Sequence, residues 1–117
     1  MSHIAQFDIP AYKNDTMRFF IDFFEDEAKT TPFDLTQFAE WNMEVKLTPR
    51  AGAVLLLTLG AGLTISNTNR MTFDATKAQM NFLANTYAYD LEGNNPAGDR
   101  ETILRGSLIQ EQDITTL

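Results

Sequence analysis

His3 is the sole histidine, and the only serines are Ser2, Ser66 and Ser107. A Ser-His-Asp triad needs an imidazole held rigidly between nucleophile and carboxylate. A residue so near a chain end frays more readily than it orients, so His3 reads as an ordinary surface residue. Carboxylates are more plentiful. Glu25-Asp26-Glu27, with Asp22 and Asp34 nearby, could offer oxygens to a hard cation such as calcium. The run lacks the alternating spacing and central glycine of a calcium loop, and reads as a solvated hairpin turn. Asp90 and Glu92 alternate along one stretch and so share a face. Such pairs do acid–base work in a cleft; on an outer sheet face they only solubilise. The GAGL stretch at 60–63 lacks the spacing and following lysine of a phosphate loop. Cysteine is absent, which removes disulfides, thiolate metal sites and Cys nucleophiles together. The expectation is a protein with no catalytic residues, no metal and no cofactor.

The elements that carry these residues alternate with a period of two. In TMRFFIDFFED, Met17, Phe19, Ile21 and Phe23 fall on one face, with Arg18, Phe20, Asp22 and Phe24 on the other. A polar turn follows, broken by Pro32. In EWNMEVKLT, Trp41, Met43, Val45 and Leu47 oppose Asn42, Glu44, Lys46 and Thr48. That is a strand with one face on a core and one in water. AVLLLTL is apolar on both faces, Leu55, Leu57 and Leu59 against Val54 and Leu56. After Gly60 and Gly62, Leu63 and Ile65 make a short strand, and Asn67-Thr68-Asn69 turns into a strand holding Met71 and Phe73. DATKAQMNFLAN has a different period: Asp74 as cap, Thr76, Met80 and Leu83 on one face and Asn85 as left-handed stop predict a short helix. NTYAYDLEGN then places Tyr87, Tyr89 and Leu91 on one stripe. A loop from 93 to 101 leads to TILRGSLIQ as its hairpin partner. About seven or eight short strands with one short helix predict an all-β, Ig-like antiparallel β-sandwich, a single domain over residues 1–117.

Composition fits that fold. The 117 residues are 44% hydrophobic and 21% charged, enough for one core. The net charge of −7 and the lack of Lys/Arg clusters argue against nucleic acid as a partner. The apolar run AGAVLLLTLGAGL is too short and too rich in glycine to span a bilayer, which takes about 20 residues, so no membrane partner is expected. The opening residues show no basic region followed by an apolar run, which predicts synthesis in a cytoplasm. Phe20, Phe24, Val54 and Leu56 are apolar residues on predicted outer faces. Grouped exposed apolar residues mark contact surfaces, so these four are the candidate protein-interface residues.

The order of phrases resembles a known family. FDIPAYKNDTMRF leads to PFDLTQF, then WNMEVK, a leucine strand, an isoleucine strand, TYAYDLE, a glycine-bearing loop, TILRGSLI and finally DIT. This is similar to the small Ig-like β-sandwich domains of bacteriophage virions, of the kind at the N-terminus of upper baseplate proteins, over roughly residues 7–115. Within the pattern Asp34-Leu35-Thr36 is expected to start a strand. The resemblance implies a non-enzymatic virion structural protein, made in the host bacterial cytoplasm and carried in the particle. Its partners would be other virion proteins, in a homo-oligomer or hetero-oligomer. Upper baseplate proteins continue into a helical or fibre region, whereas this sequence ends at Leu117, which favours a decoration, adaptor or connector of capsid, tail or fibre. The alternative is a carbohydrate- or ligand-binding β-sandwich module using Trp41, Tyr87 and Tyr89.

Overall fold

The computed structural model describes residues 4–112. Ser2, His3 and the phrase 113–115 lie outside that range. Nine strands run through it: β1 (Ala5–Gln6), β2 (Ile9–Tyr12), β3 (Met17–Asp22), β4 (Glu40–Lys46), β5 (Ala53–Leu59), β6 (Gly62–Ser66), β7 (Arg70–Ala75), β8 (Asn85–Asn94) and β9 (Arg100–Glu111). They form one continuous ladder in the order β1-β9-β8-β4-β5-β6-β7-β3, with β2 also pairing β9. The ladder is continuous only because β5 and β6 touch at two positions, Thr58 with Gly62 and Leu59 with Leu63, in parallel. Gly62, at φ 106°, makes the crossing: a Cβ there would lie 2.6 Å from Leu57 Cδ2 and 3.0 Å from the Asp74 carbonyl oxygen. On either side of that corner lie two layers, β9-β8-β4-β5 and β3-β7-β6, the strand order of an Ig-like sandwich.

Alternation explains what each layer buries. Trp41, Met43 and Val45 of β4, Leu55 and Leu57 of β5, and Tyr87, Tyr89 and Leu91 of β8 all point inward and are buried. From the other layer come Met71, Phe73 and Leu63, with Phe19 half-buried and stacked on Phe73 at 4.6 Å between ring centroids. All belong to one core. Trp41 donates its indole N–H to the Leu35 carbonyl at 2.9 Å, so the largest core side chain leaves no buried donor unpaired.

Two local expectations are corrected. The predicted helix over 74–85 is absent: β7 runs on to Ala75, and a single helical turn follows, closed by Met80 N–H on the Thr76 carbonyl at 3.1 Å. Its cap is Thr76 rather than Asp74. Thr76 Oγ1 accepts from Gln79 N–H at 3.2 Å, and Gln79 Oε1 accepts from Thr76 N–H at 2.9 Å, a reciprocal capping box. The turn stops because Met80 is pulled fully into the core, and Asn85, instead of ending a helix, begins β8. Likewise Asp34-Leu35-Thr36 starts no strand. Leu35–Gln37 is a 3-10 turn capped by Asp34, whose carboxylate accepts from Thr36 N–H at 2.9 Å, and Leu35 is buried beneath it.

The first strand bends around the last. β1 and β2 both pair with β9 in parallel, Ala5 with Leu104 and Ile9 with Leu108. Between them the chain arches over Gly106, where a Cβ would lie only 2.1 Å from the Phe7 carbonyl oxygen. Two side chains hold the arch: Tyr89 Oη donates to the Phe7 carbonyl at 2.5 Å, and the Asp8 carboxylate accepts from Ser107 N–H at 3.1 Å. Burial, with Asp8 nearby, pushes the Tyr89 phenol well above its ordinary value, so it remains a donor.

Candidate contact surfaces

Of the four sequence-predicted interface residues, Phe20 stands on β3 and Val54 and Leu56 on β5, in different layers, and Phe24 lies outside the named strands. Phe20 projects from β3 and is 55% exposed. Its neighbours on that outer face are paired ions. Arg70 forks onto Asp22 (Nε–Oδ1 2.7 Å, Nη2–Oδ2 3.1 Å) and lies 3.9 Å above the Phe20 ring, while Arg18 reaches Asp74 at 2.6 Å. The carboxylate partners raise both guanidinium pKa values, and the Arg70 bond lowers that of Asp22. Phe20 therefore lies under a guanidinium in a charged frame. Phe24 lies beyond the end of β3, half-buried, where it bridges Pro32.

Val54 and Leu56 belong to β5 in the other layer, 37% and 50% exposed. Leu59 at the end of β5 and Leu47 in the turn before it are exposed as well, and the sequence reading did not include them. It placed Leu47 with the inward set of β4 and Leu59 with that of β5; β4 ends at Lys46, which leaves Leu47 in the turn beyond the ladder, and the corner at Gly60 ends β5 at Leu59. β5 pairs with β4 from Ala53 to Thr58 with a bulge at Val54, and its other side meets β6 only at Thr58 and Leu59. Among the described residues, the far side of Ala53–Leu57 has no backbone partner.

The acidic features resolve into local roles. Asp26 clamps its own turn: its carboxylate accepts from Thr30 N–H at 3.0 Å, Thr31 N–H at 3.1 Å and the Thr30 hydroxyl, bonds that hold its pKa below the usual carboxylate range. Asp34 is similarly lowered by the Thr36 hydroxyl and N–H. Asp90 and Glu92 face outward on β8 and meet Glu44 and Asn42 of β4 directly across the ladder. They line a polar depression of about 310 Å³ with Asn94 and Arg100. Although Asp90 is exposed as a residue, partial desolvation raises its pKa, followed by the Glu92 and Glu44 charges, with Lys46 opposing. Among the described residues no cluster of His, Cys, Asp and Glu has metal-site geometry.

Trp41, Tyr87 and Tyr89 are 1%, 4% and 4% exposed. The two tyrosine hydroxyls are spent on the Leu83 and Phe7 carbonyls. None of these three offers its ring to a ligand at the surface.

No family model matches the chain, and no curated protein matches it. Among solved structures it is similar to the V domain of amphioxus IgVJ-C2, at 8% identity over 87% of this chain and 98% of that one, with a TM-score of 0.29. A score that low carries no argument; the fold rests on strand order and burial.

Proposed function

We propose that this chain is a non-enzymatic structural part of a bacteriophage virion, an adaptor or decoration on capsid, tail or fibre that works through protein–protein contacts. The observation that supports a contact role is the grouping of Val54, Leu56, Leu59 and Leu47, all exposed, along and beside a strand whose outer edge is open. The virion setting is supported by the resemblance of the phrases between residues 7 and 115. Burial of Trp41, Tyr87 and Tyr89 weighs against the ligand-binding alternative.

The test is made on purified particles. An antibody against the chain should label phage induced from its host, and quantitative mass spectrometry should give a fixed copy number per particle. Recovery of the chain only in the soluble lysate, never in particles, overturns the reading.

A further inference from the structure

β3 ends the ladder on its side. It pairs with β7 from Met17 opposite Ala75 to Asp22 opposite Arg70 without a register shift, and among the described residues no other strand meets its far side. Phe23 N–H bonds the Asn69 carbonyl at 2.9 Å, one position beyond Arg70. Alternate residues of an antiparallel strand direct their N–H and C=O to the same side, so Arg18, Phe20 and Asp22 direct theirs away from β7. The charged side chains that would guard this edge lean the other way: Arg18 and Asp22 are bound across the ladder to Asp74 and Arg70. Other open edges are interrupted or shorter, that of β5 by the bulge at Val54 and that of β6 to Thr64–Ser66.

Beside the β3 edge the sandwich gapes. β2 and β3 are joined by the turn at 13–16 yet belong to different layers, and between them lies a depression of about 330 Å³ with Phe7, Ile9, Ala11, Met17 and Phe19 in its lining. The inward stripes are covered unevenly as a result. Trp41, Met43 and Val45 of β4 are fully buried, whereas Phe19 and Ile21 of β3 point inward and stay half-buried. The Phe7 ring, itself exposed, lies 6.1 Å from that of Phe19 between centroids and covers only part of it.

We propose that this edge and gap form an acceptor for an extended segment of another protein, which adds to β3 as a fourth strand of the β3-β7-β6 layer and lays alternate apolar side chains over Phe19 and Ile21. An acceptor of this kind deepens the contact-making reading above, on which it rests. The free row of N–H and C=O groups fits a main chain, and the gap beside it fits side chains at every second position, the two requirements of strand addition. Area and charge select the kind of chain. A single added strand makes an interface below about 1,200 Å² in total, less than a stable pair of folded copies needs, and a second copy brings a further net charge of −7. Of the charged residues lining the gap, Arg18 is bound to Asp74, which leaves Asp15 to set the sign where β3 begins. The occupant is therefore a segment held within a partner protein, apolar at alternate positions and basic where it passes Asp15.

The probe is a displayed library of random peptides of about nine residues, strand length with its flanks, selected on the full chain. Enriched peptides should alternate apolar and polar residues, carry Lys or Arg near one end, and bind as synthetic peptides with a micromolar dissociation constant. Saturating peptide should slow amide hydrogen exchange at Arg18, Phe20 and Asp22 by at least about tenfold, while Phe19 and Ile21, already bonded to β7, change little. Phe20→Pro removes one outward N–H at an edge position, where proline is tolerated, and should weaken binding by about tenfold or more. Leu56→Lys, on the other layer, should leave binding unchanged. Exchange read on the unsubstituted chain keeps the test decisive even where Phe20→Pro fails to fold. A selection without binders, or binders that protect amides elsewhere and leave those of β3 unchanged, overturns the inference. Binding at β3 by a chain never found in particles would instead sink the virion role and leave the acceptor standing.

Discussion

A methyl group at Gly106 would sit 2.1 Å from the Phe7 carbonyl oxygen, and because that oxygen is backbone it cannot swing aside. Gly106→Ala must push the arch off β9, taking the Tyr89 and Asp8 bonds with it. The expected cost is about 1–3 kcal/mol of overpacking, read as a lower denaturant midpoint at unchanged slope. Asp90 makes a different kind of statement. Its folded pKa is raised, so the folded state holds this proton to higher pH than the unfolded chain does. Stability attached to the group is therefore greatest in acid and falls as pH rises through the raised value. Asp90→Asn should stabilise the protein at neutral pH by about 0.2–1 kcal/mol, the size of a like-charge pair across strands. The gain should vanish below the ordinary carboxylate range, and urea melts at both pH values check it.

Among the elements, β4 is tied to the 3-10 turn by a single buried bond from Trp41 to the Leu35 carbonyl. Trp41→Phe keeps most of the ring but strands that carbonyl, with an expected loss of about 1–3 kcal/mol in chemical denaturation. The inward stripe that holds Trp41 was legible in the sequence because alternation over seven residues leaves little choice of face. The turn at 76–80 was not: Thr76 and Gln79 carry a true capping signal, yet Met80 gains more from the core than from a longer helix. Nor could alternation say that Phe20 and Leu56 belong to different layers, since pairing partners are set by tertiary contacts. That Val54 and Leu56 point outward was readable, whereas the missing neighbour on β5 was not. It depends on where the chain turns away at Gly60–Gly62.

At the level of the whole molecule, one layer presents a charged frame around Phe20 and the other a neutral margin at β5. The two surfaces therefore suit different neighbours.

The parallel pairing of β2 with β9 also bears on load. Ile9 lies beside Leu108 and Tyr12 beside Glu111, so the chain enters β2 at one end of this pair and leaves β9 at the other. Tension applied to the two termini pulls these strands past each other lengthwise, and their cross-links must yield together instead of one by one.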